Sequence, residues 1–199
     1  MAWLQTAGEI RHFLRCLMSF LWRKEMRFRG IEFSRPLHLI GHPICARYPH
    51  SSIVLGRNVI LDSSRRANPL GGLTPCVLRT LAPNARIGLG DSVGVSSSII
   101  VAGNSIEIGS HTLVGAGCMI VDNDFHIPDA ELVWKTEYRK NSSPVRIGPG
   151  CFVGARSIIL KGVELGPGVV VGAGSFVTKS FPPRCVIAGN PAALIRSLA

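Results

Sequence analysis

From Ile147 onward, an aliphatic residue returns at every sixth position: Ile147, Val153, Ile159, Leu165, Val171 and Val177. Glycine follows four of them at once, as Gly148, Gly154, Gly166 and Gly172. The same rhythm runs upstream through Ile87, Val93 and Ile99, slips by three residues, and resumes at Ile108, Val114 and Ile120. Leu55–Gly56 and Leu61–Asp62 are weaker, earlier copies. A period of six describes a short strand followed by a sharp corner. One aliphatic side chain per hexad points into a narrow interior, and small residues allow the close turn. No such unit buries its apolar side alone, so the units are predicted to stack into a β-solenoid.

Two stretches break the rhythm, residues 62–80 and 123–145. Irregular runs of that length are uncommon in compact domains, and loops leaving a rigid scaffold are where chemistry is placed. Ahead of the repeats, Trp3, Ile10, Leu14, Leu17 and Leu21 fall at helical spacing among Arg11, Arg15, Arg23, Lys24, Arg27 and Arg29. An amphipathic basic helix is therefore expected over residues 1–30, followed by the solenoid over 31–199. Two readings of that helix are open: its apolar side packs on the solenoid or a neighbouring subunit, or residues 1–29 make a peripheral contact with an anionic membrane.

Composition narrows the class. Charged residues make up 17% of the 199, against 22 glycines and 13 prolines. Disorder calls for the opposite balance, and so many helix breakers exclude a helical bundle. The net charge of +10 is concentrated at the two ends, +4 over residues 1–35 and +5 over residues 146–199. It points to an anionic lipid or small molecule rather than nucleic acid, because the basic residues are dispersed singly and form no run. The six cysteines show no CxxC spacing and read as buried free thiols in a reducing compartment. No apolar run reaches 18 residues, and Cys16–Trp22 lacks the flanks of a signal peptide, so a cytoplasmic location is expected.

The hexads Ile-Gly-Pro-Gly-Cys-Phe (147–152), Val-Gly-Ala-Arg-Ser-Ile (153–158), Leu-Gly-Pro-Gly-Val-Val (165–170) and Val-Gly-Ala-Gly-Ser-Phe (171–176) resemble those of the left-handed β-helix acyltransferases. The run from Val171 to Pro183, with Ala188-Gly-Asn-Pro-Ala, is similar to the galactoside/maltose acetyltransferase group, nearest its branch that O-acetylates sugars of cell-surface polysaccharides. The resemblance covers about residues 53–199. It implies an all-β fold, a left-handed parallel β-helix with three hexads per triangular coil, an exception to the right-handed crossover rule. It also implies a homotrimer, with each site shared between two chains and with acetyl-CoA as the acyl-donor substrate.

Chemistry is sought at the breaks in the repeat. His126 closes the segment Val121-Asp-Asn-Asp-Phe-His-Ile, where the second excursion begins. An imidazole can take the proton of a sugar hydroxyl as it attacks a thioester, and the resemblance points to the same residue as catalytic base. Asp122 or Asp124 is the candidate for orienting the ring. On the donor side the resemblance places Ala155, Ala173, Thr178, Lys179 and Arg196 along coenzyme A. The Ala155 N–H is a candidate oxyanion donor, and Lys179 and Arg196 suit phosphates. Phe152 stands where many relatives carry Trp. For the acceptor sugar or glycan the candidates are Ser97, within Ser96–Ser98, together with Trp134 and Tyr138. The two aromatic residues either stack on the sugar or anchor the loop. Arg65 and Arg66 read by default as a solvated loop.

His38, His42, Cys45 and His50 are zinc-ligand types, yet Gly41 and Pro43 interrupt the helix that would align them, and no metal is expected. Taken together these readings describe an acetyl-CoA-dependent sugar O-acetyltransferase that works by direct transfer, without an acyl-enzyme. An N-acyltransferase of an amino sugar or nucleotide-amino sugar is the near alternative, and a non-catalytic solenoid assembly protein is the alternative of another class. A β-helical carbonic anhydrase is disfavoured, since only His111 and His126 fall within the clear repeats.

Overall fold

The computed structural model describes residues 16–72 and 74–198. Every sixth-position aliphatic from Ile147 on faces inward, and three hexads complete one coil. Ile147 pairs with Leu165, Val153 with Val171 and Ile159 with Val177, each pair 18 residues apart and parallel. The chain is thus a left-handed parallel β-helix of triangular section.

Its first face holds the strands Glu32–Phe33, Ser52–Leu55, Arg86–Leu89, Ser105–Ile108, Val145–Ile147 and Glu164–Leu165. The second runs through Leu37–Ile40, Val59–Asp62, Gly94–Ser96, Leu113–Val114, Phe152–Val153, Val170–Val171 and Cys185–Gly189, and is closed by the antiparallel strand Ala192–Ser197. The third holds Ile44–Ala46, Val77–Thr80, Ile99–Ala102, Met119–Val121, Ile158–Ile159 and Phe176–Val177.

The interior is a set of aliphatic ladders. On the first face Leu55, Leu89, Ile108, Ile147 and Leu165 stack in register, and on the third Cys45, Leu78, Ile100, Ile120, Ile159 and Val177 do so, all buried. The phase read upstream needs correction. The ladder passes through Leu89, Val95 and Ile100; Ile87 and Val93 are also buried, whereas Ile99 points outward, because Val95 and Ile100 are one residue closer than a hexad. The first excursion is also shorter than 62–80: Leu78 and Thr80 alternate inward in a regular strand of the third face.

The two glycine positions of a hexad do different work. A Cβ on Gly148 would lie 2.6 Å from the Pro167 backbone nitrogen of the next coil, so that position is kept bare by coil-to-coil approach. Gly150 adopts φ +67° at a corner where Asn58, Ser92 and His111 take the same left-handed conformation.

A helix over residues 16–28 covers the N-terminal end of the prism. Met26 enters the core beside Ile31, Leu37 and Cys45. Trp22 stacks on His42 with ring centroids 5.5 Å apart, and the Arg23 guanidinium donates to the Leu37 carbonyl at 3.1 Å. The helix therefore packs through Ser19, Trp22, Arg23 and Met26, and the expected packing stripe of Leu17 and Leu21 is turned to solvent. Trp3, Ile10 and Leu14 lie outside the described residues. No described helix is long and apolar enough to cross a membrane.

The outer surfaces of the faces differ. The first is polar, with Glu107 and Arg86 ion-paired at 2.9 Å and Arg146 and Glu164 in register above them. The second carries Ile60, Leu113, Phe152, Val170 and Val186, and the third a continuous ladder of Ile44, Val77, Ile99, Met119, Ile158 and Phe176.

Candidate active site

The second excursion leaves the corner between the third and first faces and forms an antiparallel hairpin, His126–Pro128 with Trp134–Thr136. Asp129 fixes its tip, accepting the N–H groups of Val133 at 2.9 Å and Glu131 at 3.0 Å, with Lys135 at 3.0 Å. The Val133 hydrogen bond, then that of Lys135, holds its carboxyl below the usual carboxylate range.

His126 opens the first strand of the hairpin with its ring exposed. Its N–H donates to the Asp124 carbonyl at 2.6 Å across Phe125, which sits at φ +62°. That i to i+2 bond about a positive φ is the strained form of the γ-turn. The surroundings hold it from every side. Asn123 Oδ1 accepts the Phe125 N–H at 3.0 Å, and the Phe125 carbonyl accepts the Glu137 N–H at 3.0 Å. The Phe125 ring meets Tyr138 edge-on, with centroids 6.3 Å apart. The Asp124 carboxylate is gripped by Asn141 Nδ2 and Lys161 Nζ, and the same ammonium reaches the Asn141 carbonyl at 3.2 Å. Strain of this kind persists only where its environment over-determines it, and it clusters at working sites. His126 Nδ1 lies 3.3 Å from Thr136 Oγ1, while Nε2 has no partner among the described residues.

The two aspartates do not act on the ring as expected. Asp122 is fully buried and accepts the N–H groups of Gly103 at 2.6 Å and Asn104 at 2.7 Å, with the Asn123 amide at 3.0 Å, so its side chain is occupied in holding a turn of the preceding coil. Asp124 touches His126 only through the backbone. Ser97 is likewise buried, not open to an acceptor: the first excursion covers it, with Asn68 Nδ2 3.4 Å from its hydroxyl. Tyr138 is an anchor, packed on Phe125 of its own loop, and the two line a cavity of about 390 Å³ against Ile44, Val77 and Val101 of the third face. Trp134 stands out in solvent.

Ala155 and Ala173 occupy successive levels of the corner between the second and third faces: the Ala155 carbonyl accepts the Gly174 N–H at 2.9 Å, and the alanine N–H groups have no acceptor among the described residues. Thr178 and Lys179 are exposed at the next corner, where Lys179 Nζ lies 5.7 Å from the Phe181 ring centroid. Arg196 is exposed opposite Val186 on the closing strand. One chain therefore spreads the donor candidates over two corners and a face, with His126 one face away from the alanine corner.

Lys161, Asn141 and Thr136 escaped the sequence reading. Lys161 is 37 residues from its partner Asp124, and only coil stacking makes them neighbours. The cysteines divide by burial. Cys45, Cys76, Cys118, Cys151 and Cys185 are inside and Cys16 is exposed. Desolvation pushes the Cys45 thiol up to about 12 and those of Cys76, Cys118 and Cys151 in the same direction, so they are protonated and inert as nucleophiles at neutral pH. His42 bonds Glu25 at 2.8 Å and His38 bonds Asn58 at 3.1 Å, and no group of described side chains converges as a metal site.

Residues 144–179 match the family model of the hexapeptide repeat of succinyl-transferase. Over 95 residues the chain is 42% identical to protein CapG of Staphylococcus aureus, covering 47% of this chain and 53% of CapG, so it spans about half the length of that relative. Among solved structures it is similar to AntD, an N-acyltransferase from Bacillus cereus in complex with dTDP and 3-hydroxybutyryl-CoA, with a TM-score of 0.65 and 20% identity over 89% of this chain and 88% of that one. It is also similar to a maltose O-acetyltransferase from Clostridium difficile 630, with a TM-score of 0.52 and 24% identity over 89% and 74% of the two chains. At such identities the structural likeness is one of fold.

Proposed function

Because the chain is a left-handed β-helix of the hexapeptide-repeat type, we propose that it is an acyltransferase using acetyl-CoA to acetylate a sugar hydroxyl in cell-surface polysaccharide biosynthesis. One observation carries the reading: an exposed imidazole, buttressed on its backbone side by a strained and fully braced turn, whose Nε2 is unencumbered. The likeness to the maltose O-acetyltransferase is in keeping with a sugar acceptor.

In the proposed reaction His126 accepts the proton of the sugar hydroxyl as its oxygen attacks the thioester carbonyl. The tetrahedral oxyanion is met by the Ala155 N–H. Collapse breaks the carbon–sulfur bond, and the thiolate of coenzyme A takes the proton back from the imidazolium. No enzyme nucleophile is needed, in keeping with the inert buried thiols. Lys179 and Arg196 hold the donor phosphates. The base and the alanine corner lie a face apart in one chain, so the complete site joins His126 of one copy to the alanine corner of another, in a homotrimer whose contacts are the apolar outer surfaces of the second and third faces.

The similarity to AntD favours a second reading, transfer to the amine of a nucleotide-linked amino sugar. Both are tested by measuring coenzyme A thiol release from acetyl-CoA with a panel of sugars and amino sugars, beside the His126→Ala variant. Acceptor-dependent release should fall about 10²–10⁴-fold in the variant while coenzyme A binding is kept. Release unchanged by the substitution would remove His126 as the base, and failure to bind coenzyme A would remove the acyltransferase reading.

A further inference from the structure

We propose that the outward side of the N-terminal helix is a docking surface for an anionic lipid membrane. At about 100° per residue, Leu17, Leu21 and Phe28 fall within about 40° of one another, opposite the side that packs on the coils. They are 42%, 48% and 93% exposed, and Phe20 flanks them. Trp22 and Met26 already supply an apolar side for packing on the coils, so the second apolar stripe is not used within the described fold.

The charges around the stripe are predominantly basic. Lys24 lies at the edge of that arc, about 20° from Leu17, its Nζ 4.8 Å from the Phe20 ring centroid, and Arg27 sits 5.0 Å from the Phe33 ring. Arg35 shares a cavity rim with Phe20 and Arg23. The one acidic residue of the described helix, Glu25, lies about 40° beyond Leu21; it is ion-paired with Arg29 at 2.9 Å and hydrogen-bonded to His42 at 2.8 Å. An apolar centre with aromatic residues and a basic surround is how a helix lies in a lipid interface, its long cationic side chains reaching up to the headgroups.

The charge pattern also argues against a second copy of this chain. Interface cores are depleted of Lys, and a self-complementary contact here would set Lys24 and Arg27 against their own counterparts. An anionic headgroup layer instead complements the basic charges of the surface. The inference does not depend on the acyltransferase reading.

Co-sedimentation of the full chain with phosphatidylcholine vesicles, with and without phosphatidylglycerol, tests it. The protein should sediment with the anionic vesicles, be released by high salt, and leave the neutral ones largely unbound. Leu21→Ser with Phe28→Ser should lower partitioning about tenfold or more, and Lys24→Glu with Arg27→Glu should abolish the preference for phosphatidylglycerol. All four positions are exposed, and circular dichroism of each variant confirms an intact fold. Wild-type protein that ignores anionic vesicles, or a Leu21→Ser/Phe28→Ser variant that binds them equally, overturns the proposal. A change in oligomeric mass in that variant, without vesicle binding by the wild type, would assign the stripe to a contact between copies.

Discussion

Phe125 holds its positive φ because Asn123, Glu137, Tyr138, Asn141 and Lys161 brace the turn around it, and Lys161 is a member of that group whose removal disturbs no interior packing. Its ammonium reaches the Asp124 carboxylate and the Asn141 carbonyl together, tying both ends of the excursion to the adjacent coil. Under the proposed mechanism Lys161 is a positioning residue for His126. Lys161→Met should lower kcat by about tenfold to a hundredfold through misplacement of the base, leaving KM for acetyl-CoA and the melting temperature nearly unchanged, with Lys161→Arg restoring much of the loss. Steady-state kinetics beside calorimetry decides it: equal losses in kcat and thermal stability would mean that Lys161 merely supports the fold. Asp122 illustrates the opposite case, an acidic residue near His126 in sequence whose carboxyl group is occupied by backbone N–H groups.

The hexads show why one residue type serves two physical purposes within six positions. Gly148 is required by an approaching backbone and Gly150 by its own dihedral angle. Gly148→Ala should therefore destabilise the chain by about 1–3 kcal/mol, since the Pro167 backbone cannot yield without moving its coil. Gly150→Asn should cost less, because nothing lies within 4 Å of that site and Asn58 already adopts the same conformation at the same corner. Denaturant unfolding of the two variants tests the distinction, and a reversed order would refute it. The repeat was plain in the sequence where coils are 18 residues long, from Ile147 on. Ile108, Val114 and Ile120 keep that phase, and only Ile87, Val93 and Ile99 fall out of step with it, because uneven spacing within that coil shifts the period without disturbing the inward ladder.

The assembled prism presents one charged face and two apolar ones. A solitary molecule gains nothing from the ladder of Ile44, Val77, Ile99, Met119, Ile158 and Phe176 on its outside, and such a patch marks a contact surface. If the second and third faces are the trimer contacts, Leu113→Lys with Met119→Lys should reduce the mass in sedimentation equilibrium from three chains to one and abolish turnover. Glu164→Ser, on the charged face, should leave both intact. A wild-type mass of a single chain would defeat the shared-site reading.

The period of six, with aliphatic residues bound to turn inward and glycines at the corners, was enough to specify a solenoid, because each hexad repeats the same local bargain between strand and turn. The composition of the excursions marked where His126 would stand. Which partners those residues meet was decided by stacking, since contacts such as Lys161 with Asp124 or Asn68 with Ser97 join positions 29–37 residues apart that only the pitch of the coils brings level. The helix shows the same division: its apolar residues are legible along the chain, but which stripe turns inward depended on the shape of the end that Met26 and Trp22 had to cover.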